Sequence, residues 1–275
     1  MTRCARFQLM KTKPFIDRHA LLKQHMRVKE QLLPDDHVYY EMSDRLLERL
    51  EIIRIAPKNI LIIDWHPHQI KNKLNDRYPD ATVQSAHDAI CVAQYADESF
   101  DLIIAHFALL REREPMHLLQ EMYRVLRDKG LLMLTSLGPD TFFELNNSFL
   151  TVDQFFHVHP FVDMHDVGDW MRQLHFVDPV MDREEIVLAY DQLELLFDDI
   201  KAVGAANVHE ARRRSLFSPK QWQQMMAHYH TLKTEDYYPA TLEVIYGHAW
   251  RDNSGKPKRD EVAISIDKIT HKKKR

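Results

Sequence analysis

Three short apolar runs, separated by stretches of helical periodicity, restrict this chain to an α/β architecture. Asn59-Ile-Leu-Ile-Ile-Asp64, Phe100 to Phe107 and Leu131 to Leu137 are nearly continuous apolar segments, the pattern of strands buried on both faces of a parallel sheet. Helical patterns lie between them. Pro67 begins one that runs to about Tyr78, and Ala81-Thr-Val-Gln84 follows as a weaker strand. Glu114-Pro115 opens a second helix with Met116, Leu119, Met122 and Leu126 inward, closed by Lys129-Gly130. Upstream, residues 15–33 and 37–54 read as two amphipathic helices broken by Pro34-Asp35-Asp36, with Tyr39, Met42, Leu46, Leu50 and Ile53 on one face of the second. Downstream come a helix near 164–175, a strand from Pro179 to Tyr190, helices near 191–203 and 218–232, and late strands at Thr241 to Trp250 and Glu261 to Ile266. Ligands in an open parallel sheet bind beyond the carboxyl ends of the strands. Here those ends are Asp64 to His68, Asp88, Ala105-His106 and Ser136 to Asp140.

Composition narrows the chemistry. All six glycines lie after residue 129, where ordinary usage of ~7% would place roughly nine before it. A glycine-rich phosphate or nucleotide loop in the first half is therefore excluded. Two cysteines, Cys4 and Cys91, exclude a disulfide scaffold and point to a reducing compartment, so the expected location is the cytoplasm. The longest apolar run, Leu102 to Leu110, contains His106 and is far short of the ~20 residues that span a bilayer. Net charge is −4, with no nucleic-acid signature overall. Residues 251–275 nevertheless carry nine Lys or Arg against four Asp or Glu, and 268–275 read as a solvated basic tail. The N-terminus is basic too (Arg3, Arg6, Lys11, Lys13) but lacks the apolar stretch of a secretory signal.

Longer motifs carry a family resemblance. Ser99-Phe-Asp-Leu-Ile-Ile resembles the fourth strand of class I S-adenosylmethionine-dependent methyltransferases, and Glu121-Met-Tyr-Arg-Val-Leu-Arg with Lys129-Gly-Leu-Leu resembles the helix and strand after it. Narrower motifs are Ser136-Leu-Gly-Pro-Asp-Thr141, His157-Val-His159, Phe161-Val-Asp-Met-His-Asp166, Asp178-Pro-Val-Met-Asp182, Asp199-Ile-Lys-Ala-Val-Gly-Ala205 and Glu243-Val-Ile-Tyr-Gly-His-Ala-Trp250. Together they resemble the malonyl-acyl-carrier-protein O-methyltransferase family of biotin synthesis, over roughly residues 58–267. The resemblance implies a Rossmann-like, mostly parallel, seven-stranded sheet with helices on both faces and a late antiparallel strand near 242–249. It divides the chain into N-terminal helices (1–56), a methyltransferase-like domain (57–267) and the tail, with 191–239 a helical insertion over the site mouth. It also implies S-adenosylmethionine as cofactor and an acyl carrier protein as partner. Methyl transfer to an ionised carboxylate needs no general base, so positioning is what the protein must supply.

Against that pattern stand three departures around one pocket. The family's strand acid persists as Asp64, but Trp65-His66-Pro67-His68-Gln69-Ile70 replaces its glycine loop, with His66, His68 and Ile70 where glycines would stand. Only 37 residues lead from Asp64 to Asp101, too few for a full second strand, helix and third strand at ~30 residues per βαβ unit. His106-Phe-Ala-Leu-Leu-Arg111 replaces the family's Asn-Leu-Ala-Leu-Gln-Trp after the fourth strand. The cofactor-side candidates are thus Asp64, Trp65, His66, Asp88 and His106. The substrate-side candidates are His157, His159, Asp163, His165, Arg212 and Arg213. Neither histidine cluster has the spacing of a named metal motif, so no metal is expected; Asp163 or His165 instead suits a helix cap. Arg212 to Arg214 suit either a carrier-docking site or a solvated helix end. Two readings of function follow: an O-methyltransferase with an unusual cofactor loop, or an inactive methyltransferase-like protein that binds an acyl carrier or another protein.

Overall fold

The computed structural model describes residues 16–29, 33–35 and 37–253. The expected strand at 261–266, the basic tail and the basic N-terminus lie outside them. Helices α1 (Arg18–Lys29) and α2 (Val38–Ile52) precede the sheet. Strand β1 (Asn59–Ile63), helix α3 (His68–Arg77), β2 (Thr82–Ala86), the short α4 (Ala89–Val92) and β3 (Phe100–His106) follow. Next come a 3₁₀ turn (Ala108–Arg111), α5 (Pro115–Val125), β4 (Leu126–Leu137), α6 (Phe143–Leu150) and α7 (Met164–Gln173). The chain closes with β5 (Phe176–Tyr190), α8 (Leu193–Ala202), α9 (Pro219–His230) and β6 (Tyr238–Arg251).

The strands form one sheet in the order β2-β1-β3-β4-β6-β5. The first four are parallel, while β6 runs antiparallel to both β4 and β5. The described sheet therefore has six strands, not the seven the resemblance implies. The reason is length: residues 87–99 hold only the four-residue α4, and a parallel crossover with a further strand needs a dozen residues for the crossover alone. β2 is left as the sheet's edge, its residues alternating in exposure until Ala86.

Alternation along β1 divides the core. Ile60 and Ile62 pack with α2 and the residues of α3, α8 and β6 on one face, and Leu61 and Ile63 with α5 and α7 on the other. All four are fully buried, which at about 1.5–3 kcal/mol each makes β1 a large contributor to stability. Tyr39, Tyr40, Met42, Leu46 and Leu50 of α2 belong to the first of these layers. The helix that opens at Pro115 ends at Val125, not at Lys129-Gly130, because Leu126 already pairs with Phe100. Its buried stripe is Leu118, Leu119, Met122 and Val125, with Met116 only half-buried. Lys129 takes the left-handed φ of 62° inside the irregular start of β4.

Candidate functional site

Strands β2 and β3 flank β1, so the chain departs from β1 to one side and returns on the other; this reversal makes a crevice at the β1 carboxyl end. Asp64 stands there, 1% exposed. Its Oδ1 accepts from the Trp65 amide at 2.6 Å and from the Tyr39 hydroxyl of α2. Burial holds the Tyr39 phenol well above its usual pKa, so it keeps its proton and donates. Phe107 turns the chain with a left-handed φ of 50°, and the 3₁₀ turn after it brings Arg111 back over the same carboxylate. Nη1 of Arg111 lies 3.6 Å from Asp64, and Nη2 donates to the Tyr39 hydroxyl at 3.0 Å and to the Val203 carbonyl at 3.1 Å.

Trp65 fills what remains. The Arg111 guanidinium lies 4.3 Å from its ring centroid and the His25 ring of α1 lies 4.5 Å away. From the far side Gly204 closes in at a φ of +70°, so near that a Cβ there would stand 2.9 Å from Trp65 Cζ3. His66 is also buried, its ring edge-on to Tyr39, and burial lowers its pKa. His106 is fully buried: Nε2 donates to the Tyr39 carbonyl at 3.1 Å, which leaves Nδ1 to accept the Thr135 hydroxyl at 2.7 Å. Burial depresses it to about 4, so it stays neutral and acts as a strut between α2 and β4. Asp88 caps α4 by accepting the Cys91 amide at 2.8 Å. Beside it Glu112 accepts the Ala89 amide at 2.7 Å, and burial, reinforced by the charge of Asp88, pushes its carboxyl up to about 7.

The substrate-side residues divide into separate places. His157 and Arg213 meet on Asp153, at 2.7 and 2.6 Å, with the His157 ring stacked on Phe149 and the Arg213 guanidinium 4.3 Å over Phe217. Arg212 reaches instead to Asp17, at 2.9 Å. Asp163 caps α7 and its Oδ1 also contacts the exposed His165 ring at 2.7 Å. His159 is buried with Nδ1 unpartnered, and burial, with the nearby His209 adding, lowers it to about 4. Among the described residues no group of three or more His, Cys, Asp or Glu side chains stands close enough to hold a metal ion. Sequence reasoning passed over Tyr39, Gly204 and Glu112 as site residues. Arg111 was visible as the end of an altered motif, but nothing in the sequence ties it to Asp64.

Comparison with known proteins bears on the lineage. A family pattern described as a methyltransferase domain matches residues 44–134. Malonyl-acyl-carrier-protein O-methyltransferase 1 of Coxiella burnetii is 39% identical over 247 residues, covering 83% of this chain and 87% of that protein. The chain belongs to the malonyl-acyl-carrier-protein O-methyltransferase family. A second family member, from Laribacter hongkongensis, is 36% identical, covering 80% of this chain and 84% of its own length. Among solved structures, a Bacillus halodurans protein described as a candidate methyltransferase superposes with a TM-score of 0.51, covering 76% of this chain and 99% of that one at 13% identity, which shows the fold.

S-Adenosylmethionine is the methyl donor of this family, and the crevice tests whether this member fits it. It does not. Tyr39, Trp65 and His66, each 7% exposed or less, occupy the crevice, and the side chain of Arg111 answers Asp64 from within the chain. Oδ1 of Asp64 is committed to Tyr39 and the Trp65 amide, while Oδ2 is buried with no hydrogen-bond partner among the described residues.

Proposed function

We propose that this family member has given up methyl transfer at the β1 crevice and works by binding an acyl-carrier-type partner. The observation that carries the reading is the knot of Tyr39, Asp64 and Arg111 with Trp65 lodged beneath Gly204. A donor nucleotide would have to displace two aromatic rings and break a buried carboxylate–guanidinium pair. Breaking such a pair costs about 3–5 kcal/mol, roughly the binding energy of a millimolar ligand. Family membership supports the carrier as partner, since the relatives are named for a carrier-bound malonyl substrate. A composition with two cysteines supports work in the cytoplasm.

A second reading, methyl transfer after the knot opens, is favoured by one observation. Tyr39 is borne on α2, outside the sheet, so a shift of that helix would withdraw it. The two readings part in one assay: full-length protein with radiolabelled S-adenosylmethionine and malonyl carrier protein. We expect the carrier to bind without methyl ester forming; labelled ester at stoichiometric enzyme would establish the second reading.

A further inference from the structure

A cavity of about 630 Å³ lies between α1 and the segment that follows α8. Five cations line it: Lys23 and Arg27 of α1, Lys201 of α8, and Arg212 and Arg214. One carboxylate, Asp17, faces them, and it is already spent. Its Oδ2 accepts from Arg212 and Arg214 at 2.9 and 3.2 Å, and its Oδ1 from the His19 and Ala20 amides that begin α1. The Arg212 bond holds Asp17 ionised, down to a pKa of about 2. Lys201 leans out to Asp198. Lys23 and Arg27 make no ion pair among the described residues. Between them in sequence stands Gln24, nine-tenths buried, lining the same cavity with its amide Nε2 unpartnered.

A wall with surplus positive charge and a buried donor without an acceptor has a definite complement. The ligand must bring several acceptor oxygens, few donors and negative charge. A carboxylate has only two acceptor oxygens, both in one plane. A phosphate ester meets all three, its oxygens accepting from an amide and from flanking ammonium and guanidinium groups together. The cavity volume is within the ~300–1,000 Å³ of small-molecule and cofactor sites. We infer that this cleft is a binding site for a phosphate ester, held by Lys23, Gln24 and Arg27. Such an ester has two sources, a free phosphorylated compound or the phosphopantetheine arm of a carrier protein. The second source rests on the function proposed above; the cleft itself does not.

Calorimetry on the full-length protein tests it, with 4′-phosphopantetheine as probe and pantetheine, which lacks the phosphate, as control. The expected result is binding of the first alone, weakened by salt. The double variant Lys23→Gln/Arg27→Gln should bind about ten-fold more weakly or worse. Gln24→Leu, which keeps the packing and removes the donor, should also weaken binding while its melting temperature does not fall. Equal heats from the two probes, or an unchanged affinity in the double variant, would overturn the inference. Holo- and apo-carrier protein separate the sources. Tighter binding of the holo form, lost in the double variant, assigns the site to the carrier arm. Equal binding of both forms assigns it to a free phosphorylated compound. Carrier binding with no response to phosphopantetheine would overturn the cleft and leave the proposed function standing.

Discussion

At the scale of single residues, Asp64 is the centre of the crevice. A buried carboxylate is costly unless it is answered, and here Tyr39 and the Trp65 amide donate to Oδ1 with Nη1 of Arg111 3.6 Å from it, while Oδ2 has no hydrogen-bond partner among the described residues. Replacing Arg111 with Met keeps the volume and strands the charge. That variant should lose about 3–5 kcal/mol of stability in urea unfolding, whereas Arg111→Met combined with Asp64→Asn should recover most of it. Protonation gives a second test. His106 and His159 are both held near 4 by burial, so the unfolded chain binds more protons than the folded one below the ordinary histidine pKa of 6.5. Stability from each, on the order of 3 kcal/mol, is present at neutral pH and lost as the pH falls from 6.5 to about 4. Glu112, raised to about 7, acts with the opposite sign: its contribution is present in acid and is lost as the pH rises from 4.5 to about 7. Denaturation midpoints measured from pH 4 to 8 should rise overall, with a flatter slope in His106→Gln. At this scale the sequence revealed Asp64, His66 and His106, because they stand where a familiar motif changes. It hid Tyr39 and Arg111, because a contact across 25 or 72 residues leaves no periodic trace.

Among the elements, α2 and α8 decide whether the crevice is closed. His37 precedes α2; its Nδ1 accepts the Tyr39 amide at 3.1 Å, leaving Nε2 to donate to Asp199 of α8 at 3.3 Å. Tyr190, at the end of β5, donates to the other oxygen of Asp199 at 2.9 Å. Burial works to raise the Asp199 carboxyl, but the bonds from His37 and Tyr190 prevail and hold it below its usual value. Asp199→Ala should therefore loosen the start of α2, seen as faster amide exchange at residues 39–42 with the β1 amides unchanged. Gly204 ends the turn after α8 against Trp65. Gly204→Ala meets both a left-handed φ and the indole, and should cost about 1–3 kcal/mol. The elements themselves were largely legible, since β1, β3, α2, α7, α8 and α9 follow their hydrophobic periods closely. The end of α5 departs from the sequence expectation: a Lys-Gly pair suits a helix cap, but sheet pairing from Leu126 outweighs it. The shortened unit between β2 and β3 is legible from chain length alone, and it leaves the described sheet with six strands where the resemblance implies seven.

The whole molecule keeps the family's architecture while altering the place where that architecture is used. The late motifs, from Ser136 to Trp250, build β4, α7, β5, α8 and β6 and carry the lineage. The first half keeps strand β1 and its acid, but the space beyond them is filled by the chain's own side chains. By this reading the filling excludes the family's methyl donor. Calorimetric titration of the full-length protein with S-adenosylmethionine tests it most directly. The native protein should give no saturable heat. Saturable one-to-one binding at micromolar donor, abolished by Asp64→Ala, would contradict it.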